Sequence, residues 1–399
     1  MLVQMVLGTI YGFSVLVKPL AAEFTDWSTK DIQLSFTLAL LTFAAVMVPA
    51  GRLQDKVGPR KPALAGAVLL FCGALLSSFV GDPSQKWLWW LSYGVLFGAG
   101  IGLAYVCPIA ALAKWFPDIK GLITGVAVAG FGGGAAIFAP TVSPYLESHG
   151  LQHFFLTHAI ICGVVVAFGA MLLRNPPADW TPPAKAATAA TRAKPPVADL
   201  DWQQMLRTPR FWMLWLMFAG SSTAGLMTIG VIKVAAGKEM GDALAATAVS
   251  VLSIFNAFGR VFWGGVSDRV GRSLSMLIAF AIQAVVMLSL ARGLTAGPAV
   301  AMVLVALVGL NFGANFALFP SATADAFGTR NLGVNYGLVF TAYGIGGTIG
   351  PMIAAYCKDS LGVFDPAYVV AGLLVAAAAL GAIVVGRLDR PRPPVAPNS

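Results

Sequence analysis

Charge is what this sequence has least of. Asp, Glu, Lys and Arg make up only 11% of its 399 residues, less than half the roughly 25% usual in a soluble domain. A water-soluble body of this length needs a charged shell. Here the charges gather in short clusters between long apolar runs, so the runs belong in lipid and the clusters are loops. Histidine is scarce, with 3 residues, and the 4 cysteines form no CxxC pair and have no His at ligand spacing. Cys72, Cys107, Cys162 and Cys357 therefore read as packing residues rather than metal or redox groups. No nucleophile–base pair or metal cluster stands out, so neither an enzyme nor a cofactor is expected. The net charge of +9 would suit nucleic acid if the basic residues formed one stripe, and they do not.

What is present is hydrophobicity, 58% of the chain. At about 20 apolar residues per span, helices fall near 1–22, 31–53, 62–81, 87–113, 121–145, 153–174, 209–232, 243–266, 274–292, 297–322, 333–356 and 364–387. The expected fold is all-α and polytopic, with 12 transmembrane helices. A Pro-, Ala- and charge-rich linker over 175–206 divides a six-helix unit, 1–174, from a second, 207–388, and 389–399 forms a tail. Eighteen Lys and Arg residues fall on one side of this layout and seven on the other, with Arg260 inside a span. By the positive-inside rule both termini and the linker face the cytoplasm of a cell inner membrane. The chain opens directly in MLVQMVLGTIYGFSVLV, with no basic n-region. No secretory signal is read there, and a few native residues are expected ahead of it.

The halves repeat. Gly51-x3-Asp55-x2-Gly58 follows the second helix and Gly264-x3-Asp268-x2-Gly271 the eighth, 213 residues on. Phe116, Gly121 and Gly125 have counterparts in Phe327, Gly333 and Gly337, and Pro140 in Pro351, displaced by 211 or 212. Such agreement is the mark of a duplicated unit and predicts two parallel six-helix repeats.

GRLQDKVGPRK at 51–61 resembles the signature between helices two and three of the major facilitator superfamily, and GGVSDRVGR at 264–272 resembles its second copy. Glycine permits close helix approach, and the aspartate can accept hydrogen bonds from a neighbouring helix end and from following basic residues. Gly51, Asp55 and Arg60, with Gly264, Asp268 and Arg272, are thus the expected inner gate. LAKWFPDIKGLITG at 112–125, MLRTPRFWMLW at 205–215, FGRVFWGGVSDRVGR at 258–272, NFALFPS at 315–321 and NYGLVFTAYGIGG at 335–347 are similar to the oxalate:formate antiporter family. The relatives of that family include proton-coupled monocarboxylate carriers.

Arg260 is the most informative residue. It stands inside the eighth span, between VSVLSIFNAFG and VFWGG, and no Asp or Glu lies deep in any span to pair with it. A cation there costs at least about 2.5–3.5 kcal/mol, so it is paired, solvated or functional. A guanidinium suits a carboxylate, which it holds with a two-pronged fork. The bland alternative is snorkelling towards the nearby loop. Asn256, one turn earlier on the same face, can orient arginine or substrate, or make an interhelical hydrogen bond alone.

The resemblance implies that Arg260 contacts a substrate carboxylate and that Tyr11 and Tyr105 line the cavity. It also implies a departure. Oxalate exchangers of that family pair the arginine with a lysine in the eleventh helix, where this chain has Tyr343. Phe312 and Phe316 stand where those carriers show Trp and Tyr. One fixed cation in a less polar cavity fits a monoanion such as lactate, pyruvate, formate or acetate, exchanged for a counter-anion or moved with a proton. A dicarboxylate exchanger is the alternative, with Lys233 as its second cation. The expected carrier is a monomer in the bilayer.

Glycines crowd helices four, five and eleven without GxGxxG after a strand or a GK[ST] motif, which points to helix packing rather than nucleotide loops. Gly94 and Gly98 form a small-xxx-small pair, and Pro108, Pro140 and Pro351 are expected kinks. Asn311 and Asn315 face either the cavity or a neighbouring helix, and His158 reads as structural.

Overall fold

The computed structural model describes residues 1–177, 180 and 198–388, apart from the side chains at 139, 233–240, 242, 243, 246 and 291. Most of the linker (178–179 and 181–197), the tail from 389 and the Lys233 side chain lie outside the described residues. The described chain is helical, with no strand. Among the described residues eleven helices are long and apolar enough to cross a membrane, and a bent pair at the start makes a twelfth when taken as one span.

The first span, α1, comprises Leu2–Leu7, a 3-10 segment Gly8–Gly12 and Ser14–Glu23, with a bend of 50°. It is followed by α2 (Thr29–Val57), α3 (Arg60–Ser77) and α4 (Pro83–Trp115). One helical stretch, Lys120–Leu172, is broken at Gly150, where φ is +76°, giving α5 before the break and α6 after it. The second half holds α7 (Pro209–Met240), α8 (Asp242–Val270), α9 (Arg272–Thr295), α10 (Pro298–Phe327), α11 (Leu332–Leu361) and α12 (Asp365–Leu388). The spans agree with the sequence pattern to within several residues. The bend in α1 was not foreseen, since it falls at Phe13, just after the glycine-bounded segment, rather than at a proline.

Local chemistry sets the turns. Ser28 and Asp31 exchange side-chain and backbone hydrogen bonds to start α2, a capping box. Gly58 and Gly271, the repeated glycines, end α2 and α8 at φ +84° and +96°, a conformation glycine adopts without a Cβ penalty.

The two halves meet along two pseudo-equivalent helix pairs, α5 on α8 and α11 on α2. Gly121, Gly125 and Gly132 line the α5 face, and Gly333, Gly337 and Gly344, each 212 residues later, line the α11 face. A Cβ at Gly125 would strike the Arg260 carbonyl, and one at Gly337 the Met47 carbonyl. Backbone therefore packs on backbone, as small residues allow in lipid. Gly98 does the same for α4 against Ala39 of α2, and a Cβ at Gly94 would press on the Leu38 side chain. Gly125→Val is expected to cost about 1–3 kcal/mol by overpacking and to lower the melting temperature in detergent by several degrees. An unchanged melting curve would contradict this packing.

Candidate functional site

Arg260 has 0% exposure, which removes the snorkelling reading. Its Nε and Nη2 donate to Asn256 Oδ1 at 3.2 and 3.0 Å, and Nη1 donates to the Val128 carbonyl at 2.9 Å. Asn256 reaches it from one turn earlier on α8. Val128 comes within range because the glycine face of α5 lies directly on α8. Among the described residues Arg260 has no carboxylate partner. A guanidinium carries five N–H donors, and the three bonds above leave two, the number a single carboxylate takes from one fork.

Aromatic rings enclose this cation. Phe316 of α10 lies under it, 3.9 Å from Cζ to the ring centroid, and Phe131 of α5 lies 5.6 Å away. A desolvated contact such as the first contributes about 2 kcal/mol. The Tyr11 and Tyr343 hydroxyls hydrogen-bond each other at 2.6 Å, joining α1 of the first half to α11 of the second. The Tyr105 hydroxyl is buried without a hydrogen-bond partner. Tyr105 and Tyr343 have 0% exposure and Tyr11 is half-buried, so this conformation is occluded around the arginine.

Not every expected cavity residue sits here. Phe312 packs on Phe316 at 5.3 Å and against Gly225 of α7, one ring removed from Arg260. Asn315 accepts from Ser221 Oγ at 3.0 Å, an interhelical tie. Asn311 is buried without a well-formed side-chain hydrogen bond. His158 lies among Phe97, Phe138 and Phe154, at the edge of a separate cavity of about 390 Å³ between α1, α5 and α6. Sequence reasoning missed Phe43 and Phe131, which meet Tyr105 at 5.1 Å each. The repeat offset could have found them, because Phe43 precedes Asn256 by 213 and Phe131 precedes Tyr343 by 212.

At one end of the bundle the repeated aspartates cap helices of the opposite half. Asp268 accepts from the Gly121 and Leu122 amides of α5 at 2.9 and 2.7 Å, and Asp55 from the Gly333 and Val334 amides of α11 at 3.1 and 2.9 Å. Each places a carboxylate on a helix N-terminus, where amides and macrodipole favour it. Close passage at Gly51 and Gly264 makes this geometry possible, since a Cβ on either would strike the partner backbone. Arg272 pairs with Asp268 at 2.7 Å and with Asp325 at 2.8 Å, and Lys120 pairs with Asp325 at 2.8 Å.

The first copy differs from expectation. Arg60 is exposed and stands outside the network, while Lys114 of α4 lies 3.7 Å from Asp55. At the 213 offset Arg272 corresponds to Pro59, so the basic residue in the first copy falls one position late and starts α3 facing outward.

The family model described as Major Facilitator Superfamily matches residues 1–351 and 222–399. The oxalate:formate antiporter of Oxalobacter formigenes is 29% identical over 98% of this chain and 91% of its own length. Monocarboxylate transporter 13 of Bos taurus is 26% identical over 94% of this chain and 84% of its own. Among solved structures, the transporter FucP in its outward conformation superposes with a TM-score of 0.69 at 18% identity, covering 96% of this chain and 97% of that one. That likeness speaks to the fold.

Proposed function

Since the chain belongs to the Major Facilitator Superfamily and is a multi-pass membrane transporter rather than an enzyme, we propose that it carries small monocarboxylates by proton-coupled alternating access, with Arg260 as anion anchor. The observation that carries this reading is the fully buried guanidinium with two N–H donors left over and, among the described residues, no acidic partner. A carboxylate accepting from those donors neutralises the Arg260 charge, and Tyr343 can donate to one of its remaining lone pairs. The relatives named for oxalate and formate and for monocarboxylates support the substrate class.

Among the described residues no carboxylate pairs with Arg260, so the coupled proton has no acidic carrier beside the anchor. The halves 1–174 and 207–388 rock about the site, joined by the linker 175–206, in a monomer of the cell inner membrane with both termini cytoplasmic. Breaking the Tyr11–Tyr343 bond opens the path to Arg260, and the Asp55 and Asp268 latches hold the cytoplasmic side shut. Asp268→Asn keeps the side chain's shape but loses its charge. It is expected to weaken inner closure more than Asp55→Asn, because Asp268 has the closer basic partner. Greater labelling of a cysteine placed at the cytoplasmic end of α5 would register this, and equal labelling in both variants would count against it.

The alternative is exchange of a dicarboxylate, which the antiporter relative favours. Uptake of a labelled monocarboxylate into proteoliposomes, with and without an inward proton gradient, separates the two. Gradient-driven accumulation that a protonophore abolishes is expected. Exchange alone, unaffected by the gradient and fastest with oxalate inside, would overturn the proposal.

A further inference from the structure

We infer that Phe131 sets the length of substrate tail the site accepts, because the duplicated fold gives the central site a polar side and an apolar side. The inference rests on reading Arg260 as the carboxylate anchor. At the repeat offsets Arg260 corresponds to Met47 and Asn256 to Phe43 (213), Tyr343 to Phe131 (212) and Phe316 to Tyr105 (211). Those pairs lie on α8 and α2, α11 and α5, and α10 and α4. In the first three the second half carries the polar member. Tyr105 is the exception, and its hydroxyl is buried without a hydrogen-bond partner.

A carboxylate on Arg260 therefore has the cation, Asn256 and the Tyr343 phenol towards the second half. Its tail is left with the first half's apolar members. Among these Phe131 is placed as the end wall. Its ring lies 5.6 Å from the guanidinium and meets Tyr11 and Tyr105 edge-on at 5.0 and 5.1 Å. Phe43 backs it at 6.0 Å.

The wall cannot retreat. A Cβ at Gly8 would strike the Phe131 carbonyl, so the 3-10 segment of α1 is pressed directly on the Phe131 backbone. Phe131 also has 0% exposure. A tail longer than the gap must displace a buried ring backed by a second ring and by a helix, which close-packed interiors resist.

The test is transport by Phe131→Ala and the milder Phe131→Leu in proteoliposomes, across straight-chain monocarboxylates of rising length. A parallel series of dicarboxylates is run on the same vesicles. Truncation to Ala vacates the space of about six carbons, and each buried methylene changes discrimination severalfold. The ratio of Vmax/KM for a six-carbon over a three-carbon acid is expected to rise about tenfold in Phe131→Ala, and by less in Phe131→Leu. Phe316→Leu, which uncovers the cation instead, should depress both lengths alike and leave the ratio in place.

An unchanged ratio in folded Phe131→Leu and Phe131→Ala protein overturns the inference. Should wild-type protein carry only dicarboxylates, the monocarboxylate reading fails by itself. The dicarboxylate series then decides the wall, with a raised long-to-short ratio upholding it and a fixed ratio refuting it.

Discussion

Arg260→Ala is expected to reduce monocarboxylate uptake by about a hundredfold to a thousandfold, with the protein still folded and inserted. Each charge-assisted hydrogen bond to a carboxylate contributes about 1.5–3 kcal/mol, and two are lost together, so a deficit of about 3–4 kcal/mol corresponds to that range. Arg260→Lys should fare little better. The guanidinium engages Asn256 Oδ1 and the Val128 carbonyl at once and lies on the Phe316 face. A compact ammonium cannot span those acceptors and still present a planar fork. Counterflow of labelled substrate, normalised to protein eluting as a single species, measures the loss. Near-normal transport by either variant would remove the anchor from the mechanism.

Tyr343→Lys should exchange one class of substrate for another. Its position faces Phe316 at 5.6 Å and bonds Tyr11, inside the occluded aromatic cluster and on the same side as the arginine. A second cation here repels the first in a desolvated site, so the empty pocket becomes costly and a monoanion no longer neutralises it. A dianion does. The expected result is a fall in monocarboxylate uptake and a rise of about tenfold or more in the preference for oxalate, a change of at least about 1.4 kcal/mol. It is read as competition by oxalate against labelled monocarboxylate. Unaltered selectivity would mean that position 343 does not meet the charged end of the substrate.

The fold was readable because lipid imposes one rule on every span and duplication wrote that rule twice. Helix number and the repeated Gly–Asp–Gly loops follow from apolar runs and offsets. The roles of Gly121, Gly125, Gly333 and Gly337 are legible from the same offsets, since only glycine admits the backbone approach seen there. Arg260 announced itself as a cation where none belongs, and Asn256 followed from helical spacing. The bend of α1 was hidden, because it falls at Phe13 with no proline at the break. The Val128 carbonyl was equally invisible, being a backbone acceptor that a side-chain reading passes over. Arg60 misled because the two loops look alike while Pro59 shifts the register of their basic residues by one. The aromatic wall of Phe43 and Phe131 was hidden in ordinary apolar sequence, where a buried phenylalanine carries no mark of function until its repeat partner is known.

The central claim is that one fixed cation selects one carboxylate. The most direct measurement is inhibition of wild-type uptake of a labelled monocarboxylate by a size-matched pair, propionate and malonate, at a pH where both are fully ionised. With Arg260 as the sole cation of the site among the described residues and two donors to offer, propionate should inhibit at a concentration about tenfold or more below malonate, because the second carboxylate would be buried without a partner. Equal inhibition, or tighter inhibition by malonate, would contradict the account.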